Sequence, residues 1–186
     1  FGAFADPSTF TEFRYQQFAA HQKALEKIEQ VARDFERAFG RYYGGLVDSY
    51  CVEGAEVVIV TMGSIIGTIK DAIDEMRAEG IKVGLVKVRC YRPFPAAALR
   101  KALSGAKVIA VVEKDVSIGN EAGLVTDLKA SFYNSDIRTP IIGFVAGLGG
   151  RDITIKDIRK MVEKALAAEK GIECEFEFLD LRKEIL

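Results

Sequence analysis

The sequence predicts an α/β domain of three layers on a mainly parallel sheet. Four short, continuous apolar runs carry the prediction: "AEVVIVTMG" (55–63), "IKVGLVKVRCY" (81–91), "AKVIAVVEK" (106–114) and "TPIIGFVAG" (139–147). Runs of this kind, rich in Val and Ile and without alternation, belong to strands buried on both faces. Segments with helical apolar spacing separate them. Strands alternating with helices form parallel sheets covered on both sides.

The elements follow in order. Phe4 and Phe10 flank Asp6-Pro7-Ser8 and, with Phe1, read as an extended connector anchored by aromatics. From Thr11 to Phe39, Phe18, Leu25, Ile28, Val31, Phe35 and Ala38 recur at helical spacing opposite a charged face, and Gly40 stops the helix. At about 1.5 Å per residue it spans about 42 Å, more than one small domain needs. Part of it is therefore expected to pack on a neighbouring domain or subunit.

After the first strand, Ile69, Ala72, Ile73 and Met76 mark a helix closed by Gly80. Pro95 opens a short helix with Leu99, Ala102 and Leu103, closed by Gly105. Leu124, Leu128 and Phe132 mark the next. Thr154 and Asp157 resemble a capping box ahead of Ile155, Ile158, Val162 and Leu166. The alternating tail "CEFEFLDL" is expected as a last edge strand. Residues 1–45 thus read as connector and long helix, and residues 46–186 as the sheet domain. The first residue is Phe, not Met, and the chain is expected to be part of a longer protein.

Composition narrows the function. The 26 basic and 27 acidic residues leave a net charge of −1, which gives no electrostatic case for nucleic acid or an anionic membrane. No apolar run approaches the roughly 18 residues that cross a bilayer. Cys51, Cys90 and Cys174 lie far apart with no C-x-x-C, so neither a zinc ribbon nor a cysteine-ligated cluster is expected from this chain. Their apolar neighbours point to buried thiols in a reducing, cytoplasmic compartment. His21, the single histidine, sits in a charged helical stretch, and there is no G-x-S-x-G elbow. The Gly-Asp-Gly signature of the usual thiamine diphosphate magnesium site is also missing.

Right-handed crossovers gather the C-terminal ends of parallel strands on one rim, where open sheets bind ligands. "GSIIGT" offers Gly63 and Ser64 either for contact to an anion at a helix N-terminus or simply as a turn with a serine cap. "YRPFP" offers Arg92 as an anion clamp, or a rigid loop that sends Phe94 to the core. "EKDVSIGNEAG" places Glu113, Lys114 and Asp115 at a strand end, either for acid–base work or as a loop at a subunit contact. Lys87, Arg89 and Tyr91 share one strand face. In "GLGGRD", Gly147, Gly149 and Gly150 admit close backbone approach or make a tight corner, and no Lys-Ser/Thr of a phosphate loop follows.

"FGAFADP", "MGSIIGTIKDAID", "KVGLVKVRCYRPFP", "VVEKDVSIGNEAG" and "VAGLGGRDIT", in this order, resemble the C-terminal part of the α subunit of pyruvate:ferredoxin oxidoreductases of the 2-oxoacid:ferredoxin oxidoreductase family. The resemblance covers nearly the whole chain. Glu113-Lys114, where relatives often carry Asp-Arg, departs in lettering but keeps the charges. The resemblance implies a fold like the transketolase C-terminal domain and a part in converting pyruvate, coenzyme A and oxidised ferredoxin to acetyl-CoA, carbon dioxide and reduced ferredoxin, reversibly. It implies thiamine diphosphate, Mg2+ and [4Fe-4S] clusters held by other parts of the complex, namely the thiamine-binding α domain and the β, γ and δ subunits. This domain is then non-catalytic in itself. It scaffolds the subunits and lends its rim to coenzyme A through Gly63, Ser64, Arg92 and Lys87 or Lys114. Gly149, Gly150, Arg151 and Asp152 make an interface corner, with Arg151 and Asp152 as candidates for an interdomain ion pair. Another 2-oxoacid (2-oxoglutarate or a branched-chain acid) as substrate, or a free-standing α/β binding module, are the alternatives.

Overall fold

The computed structural model describes residue 2, residues 4–168, residue 171 and residues 175–186. Phe1 and Cys174, assigned above to the connector and to a buried thiol, lie outside the described residues. A long helix, α1 (Phe10–Phe39), precedes the sheet domain. Then follow β1 (Val47–Tyr50), β2 (Val57–Thr61), α2 (Ile66–Ala78), β3 (Val83–Val88), α3 (Ala96–Leu103), β4 (Val108–Glu113), α4 (Gly123–Tyr133), β5 (Ile141–Val145), α5 (Ile155–Ala168) and β6 (Phe176–Phe178).

The sheet order is β1-β3-β2-β4-β5-β6. All pairs are parallel except β1 with β3. Every residue of β2, β4 and β5 is buried. Burial on both faces requires helices on both faces. On one, Ile69, Ile73 and Met76 of α2 join Ile158, Met161 and Val162 of α5 over Ile59, Leu85 and Ala110. On the other, Leu99 and Leu103 of α3 join Leu124, Leu128 and Phe132 of α4 over Val60, Val86 and Ile109.

The four apolar runs and the residues assigned to helix cores are where the sequence places them. Three things differ. "VDSY" (47–50) forms an antiparallel edge strand that the sequence does not announce, because two polar residues sit inside four and none of the four is fully buried. Cys51 and Cys90 are free and only half-buried, not buried. The last crossover also differs. The step from β5 to β6 runs in the same direction as that from β4 to β5, yet α5 lies on the face opposite α4. Its hand is therefore reversed relative to the other crossovers, against the usual right-handed rule. The cause is packing: α5 beds beside α2 and over β4 before the chain returns to the edge.

Local signals set the ends. Thr154 and Asp157 cap α5 reciprocally: the Thr154 N–H donates to Asp157 Oδ2 at 2.8 Å, and the Asp157 N–H to Thr154 Oγ1 at 3.4 Å. Gly40 closes α1 in the left-handed region (φ 67°), its N–H donating to the Glu36 carbonyl at 2.7 Å. No side chain of α1 is fully buried. It touches the domain through Glu29, whose Oε1 accepts the Leu46 N–H at 2.8 Å. No helix among the described residues is long and apolar enough to cross a membrane.

Gly84 in β3 shows how closely the edge is fitted. A Cβ there meets the Cys51 carbonyl oxygen at 2.5 Å, and Cys51 itself turns with φ 52°. Gly84→Ala is expected to destabilise the domain by about 2 kcal/mol, since the obstacle is backbone. Urea denaturation checks this; an unchanged midpoint would mean that the Cys51 turn yields freely.

Candidate functional site

The strand order reverses between β2 and β4: the chain leaves β2 toward β3 and returns past it to β4. Beyond the carboxyl ends of two such strands the connections diverge and leave a crevice. The ladder here ends at Val60 opposite Val111. One residue on, the buried Thr61 hydroxyl donates to the Val112 carbonyl at 2.7 Å and ties the two strands as they part. Above this tie lies a crevice of about 300 Å3 lined by Thr61, Met62, Gly63, Ser64, Ile65, Val112, Glu113, Lys114 and Asp115.

The crevice walls have distinct chemistry. Gly63 turns with φ 88°, a conformation that favours glycine. Ser64 is exposed and does not cap α2: the cap position is Ile65, with no side-chain hydrogen bond. The serine-cap reading is thereby corrected, since the chain is already helical at Ile65 (φ −66°, ψ −13°). No side chain caps the first N–H groups of α2, and a helix N-terminus carries partial positive charge. Lys114 is exposed at the mouth.

Glu113 is turned away from acid–base work. It is 6% exposed, and its two oxygens accept the Leu124 and Val125 N–H groups at 2.7 and 2.9 Å. It is the cap of α4, whose own cap position is Ala122, with no side chain for the task. Burial pushes its carboxyl above the usual range, opposed by the two N–H donors and reinforced by Asp115 and Asp127. The missing local cap at α4 is the signal in the sequence that points to a distant acceptor. Asp115 accepts the Gly123 N–H at 3.3 Å on the same loop.

The residues proposed for one anion site fall in three places. Gly63, Ser64 and Lys114 meet at the crevice. Lys87, partly exposed in β3 and paired in register with Thr61 and Asp48, does not line it. Arg92 is also elsewhere. It bonds Asp127 Oδ2 at 2.6 Å, beside the Tyr91 hydroxyl on the same oxygen at 2.6 Å. Its guanidinium lies over the Tyr91 ring, 4.0 Å from the centroid. Arg89 is spent on backbone, donating to the Gly44 carbonyl at 3.0 Å.

"GLGGRD" makes a tight corner on the same rim. Gly147, Gly149 and Gly150 all have positive φ, and Gly149, Gly150 and Asp152 are exposed. Arg151 is anchored within the chain. It donates to the Asp180 carbonyl and lies 3.7 Å from that carboxylate, which also accepts the Gly147 N–H at 3.4 Å.

The fold and rim define a doubly wound α/β domain that offers an uncapped helix N-terminus and a lysine at its switch point. Comparisons with known proteins narrow the class. A family model described as pyruvate:ferredoxin oxidoreductase core domain II matches residues 55–158, and the chain belongs to that family. It is 49% identical over 188 residues to the pyruvate synthase subunit PorA of Methanosarcina barkeri, covering 100% of this chain and 47% of that one. It is 38% identical over 184 residues to the ketoisovalerate oxidoreductase subunit VorA of Pyrococcus horikoshii, covering 98% and 47%. The chain thus spans about half the length of these relatives. Among solved structures, a 2-oxoglutarate:ferredoxin oxidoreductase from Magnetococcus marinus aligns with a TM-score of 0.59 and 20% identity over 89% of this chain and 24% of that one. A split-gene transketolase aligns at 0.51 and 19%, over 61% and 39%. Both establish the fold, which is transketolase-like.

Glu113 gives a pH test. A carboxyl with a raised folded pKa holds its proton in the native state, so stability falls as pH climbs from the unfolded value toward the folded one. Glu113→Gln cannot ionise. The difference in melting temperature, variant minus parent, is expected to grow more positive across that window above pH 4.5. A pH-independent difference would show that Glu113 titrates normally.

Proposed function

We propose that this chain is the non-catalytic C-terminal domain of the α subunit of a pyruvate:ferredoxin oxidoreductase, and that its crevice contributes to the coenzyme A channel. The observation that carries the assignment is the match over the whole chain, at 49% identity, to a pyruvate synthase subunit. The overall reaction joins pyruvate, coenzyme A and two oxidised ferredoxins into acetyl-CoA, carbon dioxide and two reduced ferredoxins, releasing a proton. Ferredoxin and the remaining subunits are its partners in this reading.

The described residues do not fit a metal centre of such a complex. No three of His, Cys, Asp or Glu among them stand close enough to hold a metal ion. In this reading thiamine diphosphate, its Mg2+ and the [4Fe-4S] clusters belong to other parts of the assembly. What the present residues can do is bind. The Ser64 hydroxyl, the Lys114 ammonium and the residues that lead into α2 line one crevice, a set of groups that suits an anion. In the same reading residues 1–45 join the domain to the thiamine-binding part. Phe13, Val31, Phe35 and Phe39 of α1 are exposed, as a helix that packs on another body requires. Gly149, Gly150, Arg151 and Asp152 then meet a neighbouring domain, with Asp152 as the charge still open to it.

The test is dye reduction by the purified complex with pyruvate, with and without coenzyme A. Reduction that needs both is expected; reduction with a branched 2-oxoacid alone would move the substrate to the one named by the relatives at 38% identity. Lys114→Ala and Ser64→Ala are each expected to raise KM for coenzyme A about tenfold, equivalent to about 1.4 kcal/mol, and to leave KM for pyruvate unchanged. An unchanged coenzyme A dependence would remove the crevice from the channel.

A further inference from the structure

Arg92 was singled out as an anion clamp, and the structure gives it a site other than the crevice. It stands at the edge of a second groove, of about 420 Å3, between the N-terminal half of α1 and the "RPFP" loop. Arg14, Gln17, Phe18, His21 and Gln22 of α1 form one wall; Arg92, Pro93 and Phe94 form the other. Three basic side chains and two phenyl rings therefore face one space.

Both guanidinium groups are held in place. Arg14 Nη1 donates to Gln17 Oε1 at 2.9 Å, and its guanidinium lies 5.1 Å from the Phe10 centroid. Neither contact neutralises its charge. Arg92 is fixed by Asp127 and stacked on Tyr91, with the Phe94 ring 5.9 Å away. Its guanidinium has five N–H donors, and the bonds to Asp127 and to the Tyr91 carbonyl use two of its nitrogens. The His21 ring meets the Gln17 carbonyl through Nδ1 at 2.9 Å, which leaves Nε2 without that partner. The acidic group recorded against this cluster is Asp127, and Arg92 matches it. Arg14 is the charge left over. The Phe18 ring is 62% exposed, an open aromatic face beside the cations.

Cations in fixed positions beside aromatic faces select a ligand with both an anion and a planar ring. The guanidinium fork matches phosphate oxygens, and phenyl rings take a base by stacking. We infer that the groove between α1 and the "RPFP" loop binds a phosphorylated nucleoside, with its phosphates on Arg14 and Arg92 and its base against Phe18 and Phe94. The groove stands apart from the strand-end crevice. Two sources carry this chemistry: a free nucleoside diphosphate, and the nucleotide end of coenzyme A. Only the second rests on the function proposed above, and it places the pyrophosphate of coenzyme A in this groove rather than at the crevice.

The probe is ADP, titrated into the protein in its native assembly, with adenosine and inorganic phosphate as separate ligands. Saturable ADP binding, tighter than that of either part, is expected. Arg14→Gln is expected to weaken it about tenfold and Phe18→Ala several-fold. Both side chains are exposed, so both variants are expected to fold. Loss of coenzyme A competition with ADP, with KM for coenzyme A unmoved by Arg14→Gln, would identify a free nucleotide. Competition together with a raised KM would identify the coenzyme A end. Absence of saturable ADP binding, or binding indifferent to Arg14→Gln, overturns the proposal. If pyruvate- and coenzyme A-dependent dye reduction persists in that case, the groove fails and the oxidoreductase assignment stands.

Discussion

The parallel pairing of β2 with β4 is the constraint on which the molecule depends. Both strands are buried along their whole length, so neither face can meet water and helices must cover both. Because β3 and β4 flank β2 on opposite sides, the helices that lead to them lie on opposite faces. The crevice at the strand ends is the geometric consequence. Thr61 sets its depth, since its hydroxyl holds the Val112 carbonyl where the ladder stops. What lies above that tie is loop and helix terminus, free to vary in chemistry while the sheet stays fixed.

Two carboxylates shape this rim through hydrogen bonds within the chain. Glu113 caps α4 from the end of β4 and so fixes the loop between them. Asp127, one turn into α4, gathers Tyr91 and Arg92 from the far end of β3. The ends of β3 and β4 are thus tied to one helix. Arg151, by contrast, is spent on Asp180 and secures the C-terminal segment beneath the glycine corner.

The fold was legible where apolar periodicity was strong. The four buried strands and the cores of α2 to α5 follow from runs and spacings that only a covered parallel sheet satisfies. The edges were less so. "VDSY" carries too little apolar content to read as a strand and pairs because β3 offers it an open edge. The hand of the last crossover depends on where α5 finds a groove, which no local pattern encodes. The site was legible in part for the same reason. Gly63, Ser64 and Lys114 belong to strand ends, and topology brings strand ends together. Arg92 follows four residues after β3, where the loop doubles back toward α4 and α1, so counting from the strand misplaces it. The grouping of Arg92 with Arg14 crosses about eighty residues of chain and appears only in three dimensions.

The central claim is that the strand-end crevice of this domain meets coenzyme A within the oxidoreductase. Hydrogen–deuterium exchange on the intact complex, with and without coenzyme A, tests it most directly. The amides of residues 63–67 and 114–116 are predicted to exchange more slowly when coenzyme A is bound, while those of β2 and β4 stay slow in both states. Unchanged exchange at residues 63–67 and 114–116, in a complex shown to bind coenzyme A, would contradict the claim.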